Sequence, residues 1–211
     1  MRALVLYATG EGQTEKIARR IAERLSERNV PVDLHDVADE SVTAVALDAY
    51  DAIIVGSSIH YSHYDPNLAD CLTQFRTALT EIPSAFFSVS LGILSDESSE
   101  RDEVKKITDA YLDETGWTPE IRKDFAGALA YSKYGWLKRH MMHWIVSRAG
   151  TRTDVHYDYE FTDWPQVDQF VDEFLEFVES CREPEDEHRS RSIYAEPTRR
   201  YSTKHRKKTN A

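Results

Sequence analysis

Three short runs that are almost wholly apolar, Arg2–Ala8, Ala52–Gly56 and Ser84–Ser90, restrict the fold of this chain more than any other feature. A strand covered on one face alternates apolar and polar residues. A strand apolar throughout is covered on both. Between these runs lie segments of helical period. In Gln13–Arg28, the residues Ile17, Ala18, Ile21, Ala22 and Leu25 form one stripe, with Lys16, Arg19, Arg20 and Glu23 facing water. Asn67–Leu79 follows Asp65-Pro66, a helix-start signal, and Glu100–Glu114 is a charged helix. Trp164–Cys181 aligns Val167, Phe170, Val171, Phe174, Leu175 and Val178. Val30–Val37 interleaves polar residues, as an outer strand does, and Phe125–Tyr131 begins a fifth strand. Strand and helix therefore alternate, which predicts an α/β fold: a parallel sheet with helices on both faces.

At 211 residues the chain fills one such domain and falls short of two. The domain is expected over 1–181, followed by a charged, apolar-poor tail over 182–211 that reads as disordered. With 37 acidic and 26 basic side chains the net charge is −11. The tail is locally basic, so the body is more acidic still, which argues against nucleic acid as partner. Cys71 and Cys181 belong to no metal or disulfide pattern, and no metal site is expected. No apolar run approaches the roughly 20 residues that span a bilayer. The N-terminal run is too short for a secretory signal, so a cytoplasmic location is expected.

The strongest local signal is YATGEGQT, Tyr7–Thr14, where a buried strand gives way to a helix. Backbone amides around Gly10–Gln13 can converge there, Thr9 and Thr14 add hydroxyls, and the helix N-terminus is electropositive. The spacing is neither GxxxxGKS/T nor GxGxxG, so triphosphate and dinucleotide loops are disfavoured. Glu11 suits one monophosphate held by amides and hydroxyls. A plain turn with Thr14 capping the helix accounts for this loop equally well. Two further loops share the same sheet edge: GSSIHYSHYDP at Gly56–Pro66 and SVSLGILSDES at Ser88–Ser98. Together the three offer flat apolar walls with a few polar donors, as a planar ligand needs.

The chain resembles the flavodoxin-type menaquinone-dependent protoporphyrinogen dehydrogenases over most of residues 1–180. The resemblance is carried by GQT (Gly12–Thr14), GSSIHYSHY (Gly56–Tyr64), IPSAFFSVSL (Ile82–Leu91), GALAYSKYGWLKRHMMHWI (Gly127–Ile145) and YEFTDW (Tyr159–Trp164). It implies a flavodoxin-like doubly wound five-stranded sheet of order 2-1-3-4-5 with a segment inserted at the fifth strand. It implies bound FMN, oxidation of a porphyrinogen and electron delivery to a membrane quinone, in heme biosynthesis. Carried over by residue, Thr9, Gly10, Glu11, Gly12, Gln13 and Thr14 would hold the phosphate. Ser57, Ser58, Ile59, His60 and Tyr61, with Ser88, Val89, Ser90 and Leu91, would bracket the ring system. The chain departs from the family pattern at His60, where an arginine is expected, and at Ser62, in place of a glycine.

No catalytic side chain is assigned, because in a flavoenzyme the cofactor carries the redox chemistry. Tyr61 is expected to stack on the ring. His60 and His63 read as hydrogen-bonding or packing residues ahead of proton carriers. Tyr134–Ala149 has apolar residues at near-helical spacing and Lys138, Arg139, His140, His143 and Arg148 largely elsewhere around it. That pattern suits peripheral contact with the inner face of a membrane, near a lipid quinone. A sheet-edge cover or a homo-oligomer contact suits it too. An electron carrier without its own substrate, and an NAD(P)H–quinone reductase, remain as alternative functions.

Overall fold

The computed structural model describes residues 1–39, 42, 45–129 and 159–182. The chain divides into two units, Met1–Val178 and Glu179–Ala211, and all but the end of the last helix below belongs to the first. The elements are β1 (Ala3–Ala8), α1 (Gln13–Glu27), β2 (Val32–Asp36), β3 (Ala52–Ser58), α2 (Pro66–Glu81), β4 (Ser84–Val89), α3 (Ser98–Thr115) and β5 (Ile121–Phe125). A short ribbon of β6 (Ala128–Leu129) and β7 (Tyr159–Glu160) precedes α4 (Trp164–Arg182). The first five strands form one parallel sheet of order β2-β1-β3-β4-β5, the flavodoxin-like arrangement expected.

The central strands are buried along their length because each face carries its own core. Val5, Ile54 and Phe87 pack with Ile17, Ile21 and Leu25 of α1 and Phe170, Val171, Phe174 and Val178 of α4. On the other face, Leu4, Leu6, Ile53, Val55 and Phe86 pack with Leu68, Leu72 and Phe75 of α2 and Tyr111 and Leu112 of α3. Gly56 is a packing requirement of the first core. A Cβ there would lie 1.9 Å from Cζ of Phe87, so the ring occupies the space a side chain would need.

Two expectations are corrected. The fifth strand is Ile121–Phe125 and not Phe125–Tyr131. Paired among the described residues with β4 alone, it is polar (IRKDF), and an apolar-run criterion passes over it. The chain after Phe125 leaves the sheet, and Ala128–Leu129 form β6, which pairs antiparallel with β7. Arg20 of α1, expected in water, is half-buried against α4. It grips Asp168 through Nε–Oδ1 and Nη2–Oδ2, both 2.7 Å, and one turn on Arg24 grips Asp172 at 3.2 and 2.7 Å. Arg28 adds a third contact, 2.6 Å, to Asp172. Spacing of i, i+4 on both helices turns these pairs into a ladder with bidentate geometry. The tail from 183 onward and the segment 130–158, including the proposed membrane-contact stretch 134–149, lie outside the described residues.

Gly56→Ala is expected to lower stability by roughly 1–3 kcal/mol through overpacking, with Phe87→Leu in the same chain recovering part of the loss in urea denaturation. The Arg24 guanidinium, aided by Arg28, holds the Asp172 carboxyl below its ordinary range. A carboxyl with a depressed folded pKa stabilises above its unfolded pKa, about 3.9, and ceases to do so as pH falls through the folded value. Asp172→Asn should therefore lower the thermal midpoint at neutral pH, with the gap closing below about pH 3.9. A gap unchanged by acid contradicts that origin.

Candidate functional site

In the strand order 2-1-3, helix α1 leaves β1 for one face of the sheet while α2 leaves β3 for the other. The chain thus diverges beyond the carboxyl ends of β1 and β3, and a crevice opens there. A cleft of about 280 Å3 occupies it. Thr9, Glu11, Gln13 and Thr14 border it from the first loop; Ser58, Ile59, His60 and Tyr61 from the second; Val89, Ser90, Leu91 and Gly92 from the third. Gly127 and Ala128 close it beside β6.

The first loop offers donors without partners among the described residues. Gly12 takes a left-handed conformation, φ 96°, at the N-cap of α1, a region that glycine enters without strain. Its N–H donates to Thr9 Oγ1 at 2.9 Å, folding the loop onto itself. The Lys16 N–H closes the first helical turn onto the Gly12 carbonyl, so the amides ahead of it have no partner within the helix. Thr14 is 1 % exposed and its hydroxyl has no hydrogen-bond partner. A buried hydroxyl without a partner costs about 1–3 kcal/mol, and Thr14 borders the cleft. A monophosphate ester placed here would meet that hydroxyl and the helix-end amides, so the residues present fit such a group.

The second loop is a tight hairpin. His60 and His63 exchange both backbone hydrogen bonds, at 2.9 and 3.0 Å. Tyr61 and Ser62 between them have φ of 51° and 65°. Two successive left-handed residues make a type I′ geometry that favours Gly or Asn, so this tip stores strain. It presents the Tyr61 ring 71 % exposed at the cleft. His60 turns inward: its Nε2 lies 2.9 Å from Ser58 Oγ, and a Cβ on Gly10 would sit 3.3 Å from the same atom. The imidazole therefore packs on the first loop. The third loop continues the sheet ladders through Ile59 N–H to the Val89 carbonyl and Ser90 N–H to the Phe125 carbonyl, 2.9 and 3.0 Å. Ser90 Oγ accepts the Gly92 N–H at 3.1 Å.

Not every residue expected at the site borders the cleft. Gly10 and Gly12 are not among the residues that border it. Ser57 and Ser88 are cross-strand neighbours on the α2–α3 face of the sheet. Ser88 Oγ accepts from Tyr64 OH at 2.8 Å, and that phenol lies 2.7 Å from Thr108 Oγ1. Burial raises the Tyr64 pKa to about 12, so the phenol is a fixed hydrogen-bonding post beneath the loops. Ser57 Oγ is buried and has no partner. The cleft also takes in Gly127 and Ala128, which the sequence motifs did not single out for it, and Gly92 of the third loop. Gln13 Nε2 reaches Thr162 Oγ1 at 2.8 Å, and that hydroxyl donates to the Ala126 carbonyl at 2.7 Å. Lys16 Nζ meets Glu160 at 3.1 Å. The first loop is thus tied to the base of the β6–β7 ribbon. No signal in the sequence links residues so far apart.

Among the described residues bordering the cleft, Glu11 is the one acid, and no Lys or Arg is present. The Cys71 thiol is buried and raised to about 11, far from a reactive state. No described helix is long and apolar enough to cross a membrane.

A family model described as a flavodoxin domain matches residues 4–156. The protoporphyrinogen IX dehydrogenase [quinone] of Escherichia coli strain K12 is 30% identical over 179 residues, which cover 85% of this chain and 97% of that protein. The protein of the same name from Leishmania major is 32% identical over 175 residues, 82% of this chain and 74% of that one. Among solved structures, a short-chain flavodoxin associated with a bacterial microcompartment aligns with a TM-score of 0.50 at 13% identity, over 84% of this chain and 99% of that chain, which speaks to the fold. On these matches, the chain belongs to the flavodoxin-domain family, in the group that includes the two protoporphyrinogen IX dehydrogenases.

Proposed function

We propose that this chain binds FMN in the cleft and oxidises protoporphyrinogen IX, or a related tetrapyrrole, with a membrane quinone as electron acceptor. Membership of the flavodoxin-domain family indicates a flavin cofactor. The observation that carries the substrate is the match to the protoporphyrinogen dehydrogenases across 97% of the E. coli protein's length. FMN, when bound, would supply the redox chemistry by accepting electrons from the porphyrinogen and passing them to the quinone.

The chain's own residues would bind and orient. Thr14 and the amides at the start of α1 would take the phosphate, and the Thr9 hydroxyl, which accepts from Gly12, keeps its own proton to donate. Ile59, Val89 and Leu91 would give the ring system apolar walls. Tyr61, exposed at the rim, would cover it. Glu11 would repel a second phosphate, which favours a mononucleotide over a dinucleotide. The strained Tyr61–Ser62 tip would hold its geometry only because the His60–His63 pair beneath it is closed. Under this reading, the domain over 1–181 carries the activity, and residues 134–149 provide peripheral contact with the membrane that holds the quinone.

The purified protein is expected to be yellow. With protoporphyrinogen IX and menaquinone it should produce fluorescent porphyrin at a rate that depends on the quinone. Bound flavin with no porphyrinogen turnover removes the substrate assignment and leaves the cofactor in place. Thr14→Val deletes a hydroxyl that has no partner in the protein. It should leave the thermal midpoint of flavin-free protein unchanged or slightly higher, while weakening FMN by about tenfold, the order of a lost hydrogen bond to a charged group. Full FMN occupancy after dialysis of Thr14→Val would place the phosphate elsewhere.

A further inference from the structure

We infer that Thr162, of the YEFTDW segment, is a positioning residue for the phosphate loop. Its hydroxyl clamps Gln13, and with it the first turn of α1, to the backbone just beyond β5, and so favours a phosphorylated flavin over one without phosphate. The inference rests on the FMN reading above and adds how the phosphate seat is held in shape.

The start of α1 has no side-chain cap of its own. Gly12 stands at the N-cap with nothing to accept a helix-end amide, and its φ of 96° lies where glycine moves freely. Its N–H bond to Thr9 Oγ1 restrains the loop ahead of that pivot. Gln13 and Thr14, which present the helix-end amides and the unpartnered hydroxyl, come directly after it. A segment from elsewhere in the chain supplies the missing restraint.

Two residues that share a face of α1 meet two residues at and just beyond β7. Gln13 Nε2 lies 2.8 Å from Thr162 Oγ1, and Lys16 Nζ lies 3.1 Å from Glu160 Oε2. The two contacts are unequal. The Lys16 and Glu160 side chains are 61 % and 34 % exposed, and an ion pair so open to water contributes little. Gln13 is 8 % exposed, so its carboxamide is shielded from competing water. The Gln13–Thr162 bond is therefore the one that fixes the turn.

The direction of each bond in this chain is set. The Ala126 carbonyl can only accept, so Thr162 Oγ1 donates to it, at 2.7 Å, and must accept from Gln13. The Gln13 carboxamide is thereby oriented with Nε2 toward Thr162, because the reversed amide would set two acceptors against each other. The opposite wall of the cleft is held by other means. The Phe161 N–H donates to the Gly127 carbonyl at 3.2 Å, and Ala128 pairs with Glu160 in the β6–β7 ladder. Those are backbone contacts that do not use the Thr162 side chain. Losing the hydroxyl thus frees the phosphate loop and leaves the Gly127–Ala128 wall in place.

The test is the ratio of the dissociation constants of riboflavin and FMN, measured by flavin fluorescence quenching on flavin-free full-length protein. Thr162→Val keeps the side-chain shape and removes the hydroxyl. It should weaken FMN by about tenfold, the order of one hydrogen bond, while riboflavin, which lacks the phosphate, binds as it does to the wild type. Thr162→Ser retains the hydroxyl and should restore the wild-type ratio. Gln13→Met should lower the FMN preference as well, and adding Thr162→Val to it should lower the preference no further, because both act through one bond. If FMN binds Thr162→Val with the wild-type ratio, or if both flavins weaken in parallel, the role of Thr162 is overturned while the cofactor reading survives. Additive losses in the double variant overturn it equally. If Thr162→Val does not fold, an unchanged ratio in Gln13→Met overturns the clamp. If neither flavin binds the wild type, both readings fail together.

Discussion

The Thr14 hydroxyl, sealed at the start of α1 with no partner in the protein, is the constraint from which the rest of the account follows. A folded chain rarely leaves such a group unsatisfied. The cost is met when something outside the chain brings an acceptor. Gly12, in its left-handed turn, starts α1 shortly after the end of β1 and leaves the amides of the first helical turn without partners in the helix. The sheet order does the rest. Since β3 and not β2 follows β1 on the side where the helices diverge, the hairpin after β3 and the turn after β4 are carried to the same edge.

The walls are less independent than three separate loops suggest. His60 rests on Gly10, Ile59 and Ser90 extend the ladders of β4 and β5, and Gln13 is roped through Thr162 to the Ala126 carbonyl. Beneath them, Tyr64 joins Ser88 to Thr108 of α3, with its ring 4.5 Å from that of Tyr111. A cleft whose borders are fastened to each other and to the core is close to its working shape before a ligand arrives, which lowers the entropy lost on binding.

Much of this was legible in the sequence because it is local. ALVLYA, AIIVG and SAFFSV announce strands covered on both faces, the stripe from Ile17 to Leu25 announces α1, and GEGQT marks the strand-to-helix turn at which the phosphate is proposed to bind. What escaped is what locality does not encode. The edge strand IRKDF carries no apolar run, since one of its sides meets solvent. Ser57 and Ser88 have the residue type of site residues, yet strand alternation turns them to the other face. The Arg20–Asp168 and Gln13–Thr162 contacts span separations of 148 and 149 residues, and nothing in either segment alone names the other. His60 was visible as a departure from a family pattern. Its contact with Gly10 needed the folded hairpin.

The most direct test of the anion seat is an NMR titration of 15N-labelled, flavin-free protein with FMN, following the backbone amides. The account predicts that the largest shifts fall on Gly10–Thr14, with smaller ones at Ile59–Tyr61 and Ser90–Gly92, and that riboflavin leaves the first group nearly unmoved. Shifts centred instead on Ile121–Phe125, or on the groove between α1 and α4, would contradict it.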